Sequence, residues 1–169
     1  GMEQTDVAAP GGYFRDFFGT PQYRVNANLI LSAYPKSVGL VDGTIDPTTG
    51  EPLTTAVIRD CNGSVCAYYQ YLQGTSMASP HAAGVAALIV SEFGKKDKAR
   101  GGLTLAPETV KRILKESATD HACPDPRLVD YTIVGRPASW NAYCEGDEDY
   151  NGFYGSGIVD ALGAVQFDN

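Results

Sequence analysis

Histidine is scarce in this chain of 169 residues, which contains only His81 and His121. Basic residues are also outnumbered, with 13 lysines and arginines against 20 aspartates and glutamates, so the formal net charge is −7. This acidic balance argues against nucleic acid or an anionic membrane surface as a partner. Long apolar runs are missing too, and none approaches the roughly 18 residues of a membrane-spanning helix. We therefore expect no membrane segment.

Turn-forming residues are frequent, and the chain contains four cysteines. The 19 glycines and 10 prolines predict many loops around one core. Cys61 and Cys66 flank the turn sequence Asn62-Gly63, which predicts a disulfide across a hairpin; Cys123 and Cys144 then pair by elimination. The spacing fits no zinc or redox motif, and the alternative is four free thiols in a reducing compartment. We favour the disulfides, and with them a secreted, extracellular parent protein.

The most informative stretch is the octapeptide 74–81, Gly-Thr-Ser-Met-Ala-Ser-Pro-His, which runs into small and apolar residues. Gly74 tolerates unusual backbone dihedrals and the close approach of another chain. The pattern predicts a helix from about Ser76 to Phe93, apolar around most of its circumference and therefore buried. A serine in the first turn of such a helix lies beside unpaired N–H groups and the positive end of the helix dipole. That position suits a nucleophile with an oxyanion beside it.

This octapeptide resembles the nucleophile motif of the subtilases, the subtilisin-like serine peptidases. The resemblance implies that Ser76 is the catalytic nucleophile and that Thr75 and the Ser76 N–H help to bind the oxyanion. It also implies that Gly74 and Gln73 form the substrate-facing edge, with Gln73 standing where the family often has asparagine. The implied activity is endopeptidase cleavage of peptide or protein substrates, with no cofactor.

A serine nucleophile also needs a base and a group that orients the base. His81 follows Ser76 by five residues, a rotation of about 140° and a rise of about 7.5 Å on a helix, so it cannot be that base. We assign structural roles to His81 and to Pro80, which we place near the first turn, where a missing N–H is tolerated. In the family, the catalytic aspartate and histidine and the oxyanion asparagine precede the serine, but residues 1–75 contain no histidine. A serine hydrolase that uses His121 as its base is an alternative.

The resemblance extends to both ends of the chain. Asp6–Gly12 contains the Ala-Pro-Gly segment that precedes the serine motif in subtilases, and Gly155–Val165 is similar to the family's glycine-rich strand and short final helix. The implied fold is α/β, the C-terminal portion of a doubly wound, mostly parallel sheet with flanking helices. We assign residues 1–169 to a partial subtilase catalytic domain with its nucleophile segment at 74–93. The missing aspartate and histidine then come from a complementary N-terminal segment, and this chain alone is inactive.

Two further elements are predicted from local patterns. Strands at Thr54–Asp60 and Val65–Leu72, around Asn62-Gly63, form an added β-hairpin that leads directly into Gly74. A second helix begins at Pro107, and its apolar face consists of Val110, Ile113 and Leu114. The regions of about 13–60 and 121–150 are interpreted as loop insertions.

Three alternatives stay open. The first concerns the acidic residues Glu145, Asp147, Glu148 and Asp149. Their spacing does not fit an EF-hand, so we interpret them as part of a solvated loop, and calcium binding is the alternative. The chain is alternatively a non-catalytic binding or assembly module that keeps the serine segment as scaffold. The apolar helix from Ser76 needs neighbours on nearly every side, so an isolated chain is expected to self-associate where the complementary segment is absent.

Overall fold

The structure is a computed structural model that describes residues 2 and 4–168. The chain divides into two compact units, Pro10–Met77 and Gly1–Ala9 together with Ala78–Asn169. Each unit has its own hydrophobic core. Over residues 2 and 4–168, no helix combines the length and apolar character needed to cross a bilayer.

The unit Pro10–Met77 is built on a three-stranded antiparallel sheet in the order β1-β3-β2. After a 3-10 turn at Asn26–Asn28, its elements are β1 (Ile30–Ala33), α1 (Lys36–Val41), β2 (Val57–Asn62) and β3 (Val65–Leu72). The middle strand β3 is the one that leads into the serine motif. The aromatic and β-branched residues that favour strands are concentrated in it.

The predicted hairpin is confirmed as β2 and β3, with its turn one residue later than expected. Asn62 is the last residue of β2 and pairs with Val65, so the turn consists of residues 63–64. Gly63 has φ +60°, a conformation that glycine adopts without penalty. Cys61 and Cys66 are directly paired across the strands and form a disulfide, as predicted.

The core of this unit consists of Ile45, Val57 and Tyr68, with Tyr34 packed against it. The buried Tyr68 hydroxyl donates a hydrogen bond to the carbonyl of Gly50 at 2.7 Å, so its polar end is satisfied. The region 13–60, interpreted from the sequence as a loop insertion, contains β1, α1 and the core residue Ile45. It is therefore not a simple loop.

The helix α2 spans Thr75–Phe93, as predicted, but two expectations about it need correction. Pro80 lies inside the helix, not near its first turn, so the carbonyl of Ser76 has no N–H partner four residues later. The helix is also not buried all round: Val85 and Ile89 are buried, whereas Leu88 is 46% exposed. The chain itself covers only one side of α2.

In the second unit, α2 packs with α3 (Pro107–Glu116) and α4 (Ala161–Val165) through the buried side chains Val85, Ile89, Ile113 and Ala164. The start of α3 at Pro107 and its apolar face are confirmed. Asp160 caps α4, because its carboxylate accepts hydrogen bonds from the N–H groups of Leu162 and Gly163. The predicted short final helix is therefore present.

All named strands of the described residues pair antiparallel. The second unit has two short pairs, β4 (Lys95–Lys96) with β5 (Leu103–Thr104), and β6 (Leu128–Val129) with β7 (Ala142–Tyr143). A parallel pairing occurs as an isolated bridge between Ala8 and Ile158. The structure thus has the mixed helix and strand content expected of an α/β protein, and the doubly wound parallel sheet stays an expectation.

The region 121–150 contains β6, β7 and two 3-10 turns, Tyr131–Val134 and Ala138–Trp140, so it is more structured than the predicted loop. The disulfide Cys123–Cys144 joins its two ends, as predicted.

Candidate active site

Ser76 lies at the junction between a strand and a helix. The strand β3 ends at Leu72, residues 73–74 form the connection, and Ser76 is the second residue of α2. Its side chain is exposed. The strand–turn–helix context expected for a nucleophile is therefore present around Ser76.

The sharp connection depends on Gly74. Its φ of +130° lies in a region that side-chain-bearing residues rarely adopt. A Cβ at this position would meet no atom within 4 Å, so the backbone conformation, not the available space, requires glycine. The Gly74 N–H donates to the Gly11 carbonyl at 2.8 Å, and the Gly74 carbonyl accepts from the N–H of Met77 at 2.9 Å. Both backbone polar groups of Gly74 are thus paired, and the space where a Cβ would stand is open.

The side chain of Gln73 has a partner that the sequence did not reveal. Its amide oxygen accepts a hydrogen bond from the backbone N–H of Phe14 at 2.5 Å. Together with the bond between Gly11 and Gly74, this contact holds the segment after the Ala-Pro-Gly sequence against the start of α2. The role of Gln73 at the substrate edge stays a prediction.

The start of α2 is electrostatically suited to an oxyanion. Thr75 and Ser76 belong to the first turn, whose N–H groups have no acceptor within the helix. The first turn contains no acidic residue, so no side chain of the turn itself competes for the positive end of the helix dipole. A negative charge that develops beside Ser76 would therefore be stabilised by the backbone.

A base for Ser76 is not found on its own helix. His81 belongs to the same helix, five residues further on, so its side chain leaves α2 about 140° away from that of Ser76. In the second unit, the ring of His121 stacks on Tyr154 with a centroid separation of 4.1 Å. The Nδ1 atom of His121 lies 3.0 Å from the Ala122 carbonyl oxygen. Both contacts of His121 are to residues of its own unit.

The acidic run after Cys144 does not form a convergent site. Among residues 2 and 4–168, no three side chains of His, Cys, Asp or Glu come together as a metal site requires. The carboxylate of Asp147 instead accepts a hydrogen bond from the N–H of Tyr150 at 3.1 Å, which closes a local turn.

Sequence reasoning missed the importance of Asn151, which is fully buried. Its amide nitrogen donates to the carbonyls of His121 and Asp147, at 2.7 and 2.9 Å. Its amide oxygen accepts from the N–H groups of Phe153 and Tyr154, at 3.2 and 2.9 Å. An Asn-Gly pair such as Asn151-Gly152 is typical of a turn, but the burial of the Asn151 side chain depends on residues that are distant in the sequence.

Comparisons with known proteins agree with these observations. Pyrolysin from Pyrococcus furiosus is 27% identical over 109 residues, which cover 63% of this chain and 7% of Pyrolysin. The chain thus spans a small fraction of the length of this relative. No solved structure gives a significant match. The model of the subtilase family matches residues 1–156 and includes the whole segment around Ser76. The chain belongs to the subtilase family of serine peptidases.

Proposed function

We propose that this chain carries the nucleophile of a serine endopeptidase and that the nucleophile is Ser76. The observation that supports this proposal is the position of Ser76: it is exposed in the first turn of α2, directly after a glycine with φ +130°. A histidine takes the proton from Ser76 Oγ as this oxygen attacks the scissile carbonyl. The tetrahedral intermediate expels the amine, which receives that proton, and water then hydrolyses the acyl-enzyme.

The oxyanion of the intermediate is bound at the start of α2. The N–H of Ser76 is one donor and the hydroxyl of Thr75 is a second, and the dipole of the 19-residue helix adds to their effect. The Asp–His pair, with the remaining oxyanion donor, comes from a complementary segment outside these 169 residues. The chemistry requires no metal or organic cofactor, and the substrate is a peptide or protein.

The two disulfides support a secreted, extracellular location for the full-length protein. Disulfides of this kind form and persist in oxidising compartments.

The test is covalent labelling of the full-length protein with a fluorophosphonate, followed by intact-mass analysis and peptide mapping. We expect one adduct, on Ser76, which Ser76→Ala abolishes. Ser79→Ala is the matched control, because Ser79 is exposed on the same helix, and it should leave labelling unchanged. An adduct that persists in Ser76→Ala would contradict the proposal.

The isolated 169-residue chain is the second arm of this test. We expect it to be unlabelled and to lack appreciable peptidase activity, because removal of triad members costs several orders of magnitude in rate. Hydrolysis by the isolated chain that depends on Ser76 would contradict this expectation. If His121→Ala also abolished it, the alternative with His121 as base would replace the proposal.

A non-catalytic binding or assembly module is the second candidate. The observation that favours it is the lack of a base: the unit Pro10–Met77, which contains Ser76, has no histidine in its sequence. The side chain of His81 points about 140° away from that of Ser76 around the helix axis. A full-length protein that shows no Ser76 labelling and carries no Asp–His motifs would support this candidate.

A further inference from the structure

The disulfide at the tip of the β2–β3 hairpin lies beside a positive charge. The register pairs Cys61 with Cys66 and Arg59 with Tyr68. Because side chains two residues apart on a strand point to the same face, Arg59 lies on the face of the sheet that carries the disulfide. The Nε atom of Arg59 is 3.2 Å from Cys61 Sγ and 3.3 Å from Cys66 Sγ. One guanidinium therefore contacts both sulfur atoms of the bridge.

Arg59 is held in this position by residues that precede the hairpin. Its Nη1 atom makes an ion pair with the carboxylate of Glu51 and lies 3.5 Å from the carbonyl oxygen of Thr49. The Arg59 side chain is only 24% exposed, whereas that of Glu51 is 64% exposed. The partial burial of Arg59 strengthens the interaction of its charge with the neighbouring sulfurs, because water screens a buried charge less.

The tip of the hairpin is open to solvent. Every residue from 60 to 65, including Cys61, is exposed. Cys66 is half-buried and packs against the core formed by Ile45, Val57 and Tyr68, which lies toward the other end of the hairpin. A thiol from solution therefore approaches the bridge from the side of Cys61, without opening of the core.

The second disulfide, Cys123–Cys144, has different surroundings. Cys144 is fully buried, and its Sγ lies 3.6 Å from the Oδ1 atom of the buried Asn151. Arg127 Nη1 is 3.8 Å from Cys123 Sγ, and the same atom donates to the carbonyls of Cys144 and Gly146 at 3.3 and 2.7 Å. This bridge is thus shielded from solvent on one side, and its contact with a guanidinium is longer.

We propose that Cys61–Cys66 is a site of thiol–disulfide exchange, at which a dithiol from solution reduces the bridge. Exposed disulfides are more easily reduced than buried structural ones. A thiolate of the dithiol attacks Sγ of the exposed Cys61, and a new S–S bond forms as the bond between Cys61 and Cys66 breaks. The electron pair of the broken bond leaves on Cys66 Sγ, 3.3 Å from Arg59 Nε. The guanidinium stabilises this developing negative charge and so favours the exchange.

The second thiol of the reductant completes the reaction. Its thiolate attacks the reductant sulfur of the mixed disulfide, and Cys61 leaves as a thiolate beside the same guanidinium. The dithiol loses two electrons and two protons and becomes a disulfide, and the two cysteines take them up as thiols. The pairing of β3 with β1 does not depend on the bridge. The inference is therefore independent of the proposed role of Ser76.

The test is stepwise reduction of the folded full-length protein with dithiothreitol, quenched by alkylation and analysed by peptide mapping. We expect alkylated Cys61 and Cys66 to appear about tenfold faster than alkylated Cys123 and Cys144, because only the first bridge is accessible and beside a close positive charge. Equal rates for the two bridges, or earlier reduction of Cys123–Cys144, would overturn the proposal.

Two variants separate the effect of charge from that of access. Arg59→Gln removes the positive charge and should slow the reduction of Cys61–Cys66 about threefold, because the leaving thiolate loses its counter-charge. Glu51→Gln removes the carboxylate that partly neutralises Arg59 and should speed the reduction. A hairpin that is merely loosened is reduced faster in both variants. Faster or unchanged reduction in Arg59→Gln would therefore contradict the role of Arg59.

Arg127→Gln is the matched control, because Arg127 contacts the other disulfide. It should leave the rate at Cys61–Cys66 unchanged. A loss of rate equal to that of Arg59→Gln would show that the effect depends on the overall charge of the protein, and it would overturn the assignment of Arg59.

Discussion

The side-chain amide oxygen of Gln73 accepts a hydrogen bond from the backbone N–H of Phe14, a residue 59 positions earlier in the chain. This bond joins the residue before Gly74 to the base of the loop of residues 14–24, which a hydrogen bond from the N–H of Arg24 to the carbonyl of Phe14 closes at 3.0 Å. Gln73→Ala removes the acceptor, so we expect faster hydrogen exchange at the Phe14 amide and faster proteolytic nicking within residues 14–24. The accompanying loss of stability should be about 1 kcal/mol, as is usual for one hydrogen bond.

Gln73→Glu is the matched variant, because it keeps an oxygen at the same position. It should preserve slow exchange at Phe14, whereas equal exchange rates in both variants would show that the hydrogen bond does not hold the loop in solution.

Asn151 is the buried polar residue whose replacement should be most costly in the second unit. Asn151→Ala leaves four partly buried backbone groups, two carbonyls and two N–H groups, without their partner. We expect the free energy of unfolding in urea to fall by about 3 kcal/mol. Asn141→Ala is the control, because Asn141 accepts one hydrogen bond from Tyr131; its loss should be about 1 kcal/mol. Similar losses in the two variants would contradict the central role of Asn151.

The two disulfides should differ in their contribution to stability. The bridge Cys61–Cys66 closes a sequence separation of 5 residues, and Cys123–Cys144 closes one of 21. Loop-closure entropy then predicts losses of about 2 and about 3 kcal/mol when each pair is replaced by alanine. Thermal unfolding of the two double variants measures the difference.

Peptide mapping without reduction checks the pairing itself. We expect the 61–66 and 123–144 connections in the purified protein. Four free thiols, or a crossed connectivity, would count against both the pairing and the proposed secretion.

Local patterns predicted the elements that short-range chemistry determines. The hairpin, the helix after Gly74 and the start of the helix at Pro107 were predicted, because turn residues, capping positions and apolar periodicity specify them. Pro80 was expected near the first turn, whereas it is the sixth residue of α2 and lies inside the helix. The disulfide pairs were also predicted, because one pair flanks a turn and the other follows from it.

Contacts between distant residues were not predicted. The hydrogen bond between Gln73 and Phe14 and the burial of Asn151 depend on how separate segments pack, and no local pattern encodes them. The ordered core of region 13–60 was missed for the same reason, because Ile45 stands in a turn-rich stretch and packs on the hairpin.

Asp6 should make the second unit sensitive to acid. The hydrogen bond from Lys111 lowers the pKa of the Asp6 carboxyl below its ordinary value of 3.8, with a further contribution from the charge of Lys115 and despite partial desolvation. The carboxylate lies 3.1 Å from Lys111 Nζ and 3.5 Å from Lys115 Nζ. Because the folded pKa is the lower one, the ion pair stabilises the fold above 3.8, and this stabilisation is lost as the pH falls through the folded pKa.

We therefore expect Asp6→Asn to lower the melting temperature at neutral pH and to have no effect well below the folded pKa. The difference should shrink with added salt, because the pair is half exposed. Asp149→Asn, at an exposed position, is the control. An effect of Asp6→Asn that is equal at neutral and strongly acidic pH would contradict the ionic mechanism.

The exposed side of α2 should cause the isolated chain to associate. Leu88 is 46% exposed, and the small residues Ala83, Gly84 and Ala87 on the same side are exposed as well. These positions follow helical spacing, so they form a continuous apolar stripe that water contacts in the isolated chain. We expect light scattering at micromolar concentration to give a mass above that of the 18.0 kDa monomer. Leu88→Glu should shift the mass toward the monomer, because it places a charge in the contact, whereas Leu53→Glu adds the same charge elsewhere and should not. A clean 18.0 kDa monomer with a sharp cooperative melt would show that the chain is a complete domain and that α2 needs no further cover.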